Sequence, residues 1–282
     1  MQNEVCRTIT EHLNSYGIRS FDSLDDYWEW VNEDLAKSSL PEAKIEKLGR
    51  LQDQQLENPT DKSRDEFLNH VGTETKFCQW LASMQYDEIL ASSRYIVEKL
   101  GNHSCQILDL GCSFGYLTTL YGRSFPASSV VGFDKNELLV AKAQEMAPPS
   151  ADNVRFISNI HAMKDSSIDV ILDTQCLSFI SSQRQRQKLL TELGEKMKSD
   201  SLIFSVSAIP SKLGLEKLVH DLGEADLQIL DARPLTFQKY GEPQGFTALT
   251  AQIGKHIPFD IDTYWKELQN QIHAASADFC EK

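Results

Sequence analysis

No metal-binding or disulfide pattern can be drawn from this chain. Its six cysteines (Cys6, Cys78, Cys105, Cys112, Cys176 and Cys280) contain no CxxC pair, and its seven histidines contain no HExxH. Neither a zinc site nor a disulfide framework is expected, and reduced thiols in a cytoplasmic protein are the reading that remains. No apolar run reaches the ~20 residues that a membrane-spanning helix needs. The longest, around Ser201–Ile209, reads as a buried strand. Met1, Gln2, Asn3 and Glu4 offer neither a basic nor an apolar region, so no secretory signal is expected. Basic charge is scarce as well, with 28 Lys and Arg against 41 Asp and Glu and a net charge of −13. Nucleic-acid binders present a basic face, so no nucleic-acid partner is expected, and no membrane partner either. The densest basic cluster, Arg184, Arg186 and Lys188, falls at helical spacing and reads as a solvated face.

What is present changes character near Gly101. Residues 1–100 read as helix throughout. Leu24, Tyr27, Trp28, Val31 and Leu35 fall on one stripe, with Ser23 and Asp26 placed as a capping box. Leu40 and Pro41 open a second helix with Ile45, Leu48 and Leu51 on its apolar side. Ser63 and Glu66 read as a further capping box ahead of Phe67, Leu68 and Val71. A last helix carries Tyr86, Ile89, Leu90, Ile96, Val97 and Leu100 and stops at Gly101 and Asn102.

Beyond Gly101 short apolar runs alternate with helical segments: Gln106–Leu110, Val130–Phe133, Val154–Ile157, Ile168–Leu172 and Leu202–Val206. This pattern predicts a parallel sheet with helices on both faces. Leu227–Leu230 and Phe246–Ile253 have no helix between them and are expected to pair antiparallel at one edge. A final helix spans Asp260–Ser276 with Ile261, Trp265, Leu268 and Ile272 along one side.

The informative stretch runs from Ile107 to Tyr116 through Asp109, Gly111, Ser113 and Gly115. A strand enters a tight glycine turn and then a helix N-terminus, where backbone N–H groups lack intrahelical partners and can face a ligand. Nineteen residues beyond Gly115 the second strand ends in Asp134, placed to accept both hydroxyls of a ribose. A dinucleotide fingerprint would want glycine where Ser113 stands. Gly111, Ser113 and Gly115 also fit the G-x-S-x-G elbow of α/β-hydrolases, with Asp231 and His256 following in triad order. That reading leaves Asp109 without a task and places about 100 helical residues before the nucleophile, where a hydrolase has strands.

The ordered set resembles the class I S-adenosylmethionine-dependent methyltransferases. Ile107–Gly115 looks like their first motif, Val130–Asp134 like their second strand with its ribose-binding acid, and Asn153–Asn159 like the third strand bordering the adenine. Ile168–Ile180 is similar to the fourth strand and the segment after it, and Lys198–Ser205 resembles the turn into strand five. The resemblance covers Tyr86 to Lys255. It implies a Rossmann-like, mostly parallel seven-stranded sheet with helices on both faces, at residues 86–256. An all-helical cap (1–85) would precede it, and a C-terminal helix (257–282) would pack on the domain or cap.

The resemblance further implies S-adenosyl-L-methionine as cofactor, with S-adenosyl-L-homocysteine as product. Asp134 would take the ribose, Gly111, Ser113 and Gly115 with Asp109 beneath them the methionyl end, and Asn159 or Ile160 the adenine edge. Lys135 would lie along the adenine. Asp173 would meet the ammonium group, seat the acceptor, or cap a strand end. Tyr86 would reach the methionyl end from the last N-terminal helix. As acid–base candidates His161 follows strand three, and His70 lies on the helical cap. Trp28, Trp30 and Trp80 would line an acceptor pocket or form core. Strand four ends in Asp173, Thr174, Gln175 and Cys176, without the Pro-Pro-Tyr signature used on planar nitrogens. The expected acceptor is therefore a small molecule or a peptide-like biosynthetic intermediate, methylated in line. Alternatives are a non-catalytic subunit that binds S-adenosylmethionine, or a hydrolase using Ser113.

Overall fold

The structure is a computed structural model that describes residues 2–101, 104–209, 211–240, 242–254 and 259–280. Six helices come first: α1 (Gln2–Ser15), α2 (Leu24–Ala36), α3 (Glu42–Glu57), α4 (Asp61–Val71), α5 (Thr75–Met84) and α6 (Tyr86–Leu100). Then follow β1 (Gln106–Leu110), α7 (Tyr116–Ser124), β2 (Ser129–Phe133), α8 (Glu137–Met146), β3 (Val154–Ile157) and β4 (Ile168–Thr174). The chain continues through α9 (Cys176–Phe179), α10 (Gln183–Lys196), β5 (Met197–Ser207), α11 (Lys212–Glu224), β6 (Leu227–Lys239), β7 (Glu242–Ile253) and α12 (Ile261–Cys280). Two compact units result, Met1–Leu90 with Gln238–Glu242, and Ala91–Phe237 with Pro243–Lys282.

The first unit is helical. Ser23 caps α2 as expected, its side chain accepting from the Asp26 amide at 3.1 Å. The capping box before Phe67 is made one turn earlier than the pattern suggested. Thr60 caps α4 and Ser63, at the third helical position, returns the bond to the Thr60 amide. A hydroxyl at that position serves where Glu66 was expected. Tyr27 and Val31 carry the buried face of α2, whereas Trp28 is 40% exposed and Leu24 also faces solvent, so Trp28 is not core. No residue of α3 is fully buried: Ile45, Leu48 and Leu51 are only half covered. Trp80 is buried and anchored by its indole N–H, which donates to Asp34 at 3.0 Å, while Trp30 lies beside Phe21 under Arg19.

The second unit is a mixed seven-stranded sheet in the order β3-β2-β1-β4-β5-β7-β6. The β3–β2, β2–β1, β1–β4 and β4–β5 pairs are parallel, and β7 runs antiparallel to β5. Strand alternation divides the core. Leu108, Leu110, Val131, Phe133 and Ile171 face one side with Leu190, Leu193, Leu215 and Leu218. Ile107, Val130, Val170 and Leu172 face the other with Ile96 and Tyr121. A parallel strand buried on both faces needs apolar residues on both, which is why these runs are nearly continuous. Strand five begins earlier than expected: Asp200, read as part of a turn, lies within β5, which rejoins β4 at Met197 after a register shift. Arg186 is another correction. It is buried and ion-paired with Asp221 at 2.7 Å, so the basic cluster on α10 is not a wholly solvated face.

Candidate functional site

The sheet order reverses between β1 and β4: β2 and β3 lie on one side, β4 and β5 on the other. In open α/β sheets a crevice forms at such a point, outside the carboxyl ends of the strands. The turn after β1 borders it. Gly111 and Gly115 have φ of +76° and +79°, and Ser113, at +48°, shares the left-handed region between them. The amides of Gly111 and Cys112 both donate to the Phe133 carbonyl, at 2.8 and 2.9 Å, which fixes the turn against the end of β2. Side chains are excluded as well as disfavoured here. A Cβ on Gly111 would stand 2.6 Å from Cys176 Cβ, and one on Gly115 would stand 2.8 Å from the Phe156 ring. The loop after β4 is thus pressed onto the turn after β1.

Three carboxylates come from neighbouring strand ends. Asp109 on β1 is 2% exposed and accepts one hydrogen bond, from Thr118 Oγ1 at 2.5 Å. Among the described residues nothing donates to its other oxygen. Burial pushes its pKa up to about 7; the Asp134 and Asp173 charges add to the rise and the Thr118 hydrogen bond opposes it. Asp134, at the end of β2, is half-buried. Its carboxylate accepts from the Ser113 amide at 3.1 Å and from the Asn136 amide at 2.9 Å. The glycine turn and the start of α8 therefore orient the carboxylate.

Asp173 on β4 is 0% exposed. Its oxygens accept from Ser205 Oγ at 2.6 Å and from the Leu177 amide at 3.0 Å. Burial raises its pKa to about 6 against these bonds. This is the geometry of a helix cap on α9 joined to a cross-strand bond, which turns the carboxylate inward.

The remaining sequence candidates spread over both units. Lys135 is exposed immediately after Asp134, and Asn159 is exposed just beyond β3, where its Oδ1 accepts from the His161 amide at 2.9 Å. Ile160 is buried in the core beside Met163. The His161 side chain is exposed and stands 4.0 Å from Glu192 Oε1. In the helical unit His70 is buried, with Nε2 donating to the Lys44 carbonyl at 2.8 Å, and the Tyr86 hydroxyl donates to Thr10 Oγ1 at 2.9 Å. The hydrolase triad has no support in the sheet. Asp231 lies on β6, four strands from β1, where it pairs with Arg233 and Lys99, and His256 lies outside the described residues.

Sequence reasoning missed Thr118, Cys176 and Ser205. Thr118 carries a signal, being a polar residue on the inward face of α7 nine residues after Asp109. Cys176 and Ser205 depend on which loops and strands become neighbours.

Comparisons with known proteins agree with this arrangement. Residues 102–228 match the family model described as a methyltransferase domain. The chain is 30% identical over 82 residues to the trans-aconitate 2-methyltransferase of Variovorax paradoxus, an overlap of 29% of this chain and 31% of that one. It is 22% identical over 197 residues to the malonyl-[acyl-carrier protein] O-methyltransferase of Neorickettsia risticii, covering 62% of this chain and 75% of that one. It therefore spans about a third of the first relative's length and three quarters of the second's. Among solved structures, the [4+2]-cyclase SpnF shares the fold with a TM-score of 0.50 at 15% identity, over 60% of this chain and 82% of that one. The likeness to a methyltransferase domain thus covers residues 102–228, from just before the sheet unit's β1 to the beginning of β6.

Proposed function

We propose that the sheet unit binds S-adenosylmethionine at the carboxyl ends of β1 and β2 and transfers its methyl group to a small-molecule or peptide-like acceptor. The observation that carries this reading is the pairing of a half-satisfied buried carboxylate, Asp109, with an oriented one, Asp134, on either side of a glycine turn that admits no Cβ. An anionic pocket beside bare backbone fits a ligand with a cationic methionyl end, a sulfonium and a ribose diol. Asp134 would hold the diol. Asp109 would face the cationic end, and the Gly111–Gly115 backbone would let the ligand lie close. Asp173 would act at one remove, by holding α9 against the turn.

The cofactor, when bound, supplies an electrophilic methyl group. The chain's own task is then alignment, worth roughly 7–11 kcal/mol of barrier where two reactants are held in line. No histidine is needed for that step, and the described contacts of His161 and His70 suit solvent pairing and core packing respectively. The helical unit is assigned, within the same proposal, to choosing the acceptor. Fold alone does not decide activity, so the test has two readouts on the full chain. Calorimetry with S-adenosylhomocysteine should show stoichiometric binding, and release of S-adenosylhomocysteine from S-adenosylmethionine in a metabolite pool should show turnover. Binding without turnover would favour a regulatory subunit, and absence of both would remove the proposal.

A further inference from the structure

Among the described residues of the sheet unit, four large apolar side chains stay exposed: Leu138, Phe179, Leu213 and Leu230. Leu230 lies on the edge strand β6, but the other three follow the carboxyl ends of strands β2, β4 and β5. Phe179 and Leu213 are 50% and 57% exposed. They stand beyond neighbouring strands, on elements that pack together, since α9 lies against both β5 and α11.

Neither residue belongs to the buried face of its helix. Leu177 is the buried anchor of α9, and the buried stripe of α11 is complete with Leu215, Leu218, Val219 and Leu222. Leu213 precedes that stripe in the first turn of its helix and falls off its face. The same short helix α9 touches the proposed cofactor cradle, because Cys176 lies against Gly111. Phe179 thus stands about one helical turn from the residue packed on that cradle, and Leu213 lies on a helix packed against α9, on the side of β4 and β5.

We infer that Phe179 and Leu213 form one wall of the acceptor site, and that the acceptor carries an alkyl or aromatic group that packs on them. The inference rests on the cofactor reading above and narrows the acceptor to a molecule with an apolar group next to the methylated atom. Burying one such side chain against a ligand changes affinity by about tenfold or more.

The test uses the full chain loaded with S-adenosylhomocysteine, with decanoate and acetate as matched probes differing only in the alkyl group. Ligand-observed NMR should show decanoate bound and acetate not. The double variant Phe179→Ser with Leu213→Ser should weaken decanoate about tenfold or more while leaving S-adenosylhomocysteine affinity unchanged by calorimetry. Equal decanoate affinity in variant and wild type would overturn the inference, as would no decanoate binding to a protein that binds S-adenosylhomocysteine. A wild-type dimer that the double variant dissociates would assign the patch to a second copy and overturn it too. Failure to bind S-adenosylhomocysteine at all would instead strike the cofactor reading, and this inference with it.

Discussion

Replacing Asp134 by alanine is the most direct perturbation of the proposed site. In the structure the carboxylate is half-buried, oriented by the Ser113 and Asn136 amides, and placed at the end of β2. A ribose diol would donate two hydrogen bonds to it. Bonds to a charged group are each worth ~1.5–3 kcal/mol, so losing both removes about 3–6 kcal/mol. Even the lower figure weakens binding by about 100-fold. The variant also leaves the Ser113 and Asn136 amides without this acceptor, which loosens the turn and acts in the same direction. Asp134→Asn should fall between the two, because the amide keeps one acceptor oxygen. The assay is calorimetry with S-adenosylhomocysteine, after circular dichroism and a thermal melt have shown that the variants fold. A folded Asp134→Ala protein that binds like wild type would refute the assignment of the ribose to this residue.

Asp109 sets a pH dependence. Its folded pKa of about 7 lies above the unfolded 3.8, so the folded state holds a proton that the unfolded chain releases between those values. Stability of the ligand-free protein from this group is therefore greatest in acid and is lost as pH rises through about 7, as urea melts of wild type and Asp109→Asn would show. Binding runs the other way: affinity for the cationic ligand should rise between about pH 6 and 8 and become flat in Asp109→Asn. Ser113→Ala should keep its methyl transfer, because Ser113 is a turn residue. Stoichiometric labelling of Ser113 by a serine-directed phosphonate, with ester hydrolysis, would contradict this. Gly111→Ala forces a Cβ into Cys176 at a φ of +76° and should cost about 1–3 kcal/mol in a urea melt as well as lowering cofactor affinity. If residues 1–85 serve acceptor binding, hydrogen exchange around residues 70–86 should slow when S-adenosylhomocysteine is added, and no change there would make them a separate module.

The sheet unit was largely legible in the sequence because two independent signals coincide there. The apolar runs of β1 to β5 are short and continuous, as buried parallel strands require, and each is followed by a turn and a helical segment. The glycine turn adds backbone chemistry, since φ values of +76° and +79° at Gly111 and Gly115 are readily adopted only without a side chain. Asp109 and Asp134 could be placed from the sequence at the carboxyl ends of β1 and β2, since each stands at or beside the end of a short apolar run. Asp173 could not be resolved in the same way. Whether a strand-end carboxylate faces a ligand or caps a helix depends on what donates to it, and the Ser205 hydroxyl comes from a strand 32 residues away.

The helical unit was less legible for a related reason. Helical periodicity marks a stripe that can be buried, but how much of it is buried depends on neighbours that periodicity does not name. On α2 the stripe holds Leu24, Tyr27, Trp28, Val31 and Leu35, and the structure fully buries Tyr27 and Val31 alone. On α3 it fully buries nothing. Charge fails in the same way. Arg184, Arg186 and Lys188 share a helix and a spacing that suits solvent, yet Arg186 is drawn inward by Asp221, 35 residues further on. A buried Arg–Asp pair is held by its hydrogen bonds, and removing either partner leaves a buried charge uncompensated. The Arg186 guanidinium also donates to the Ile180 carbonyl, at the end of α9. One member of a cluster read as solvated therefore holds the end of α9, the helix that carries Phe179, through a contact that local spacing could not predict.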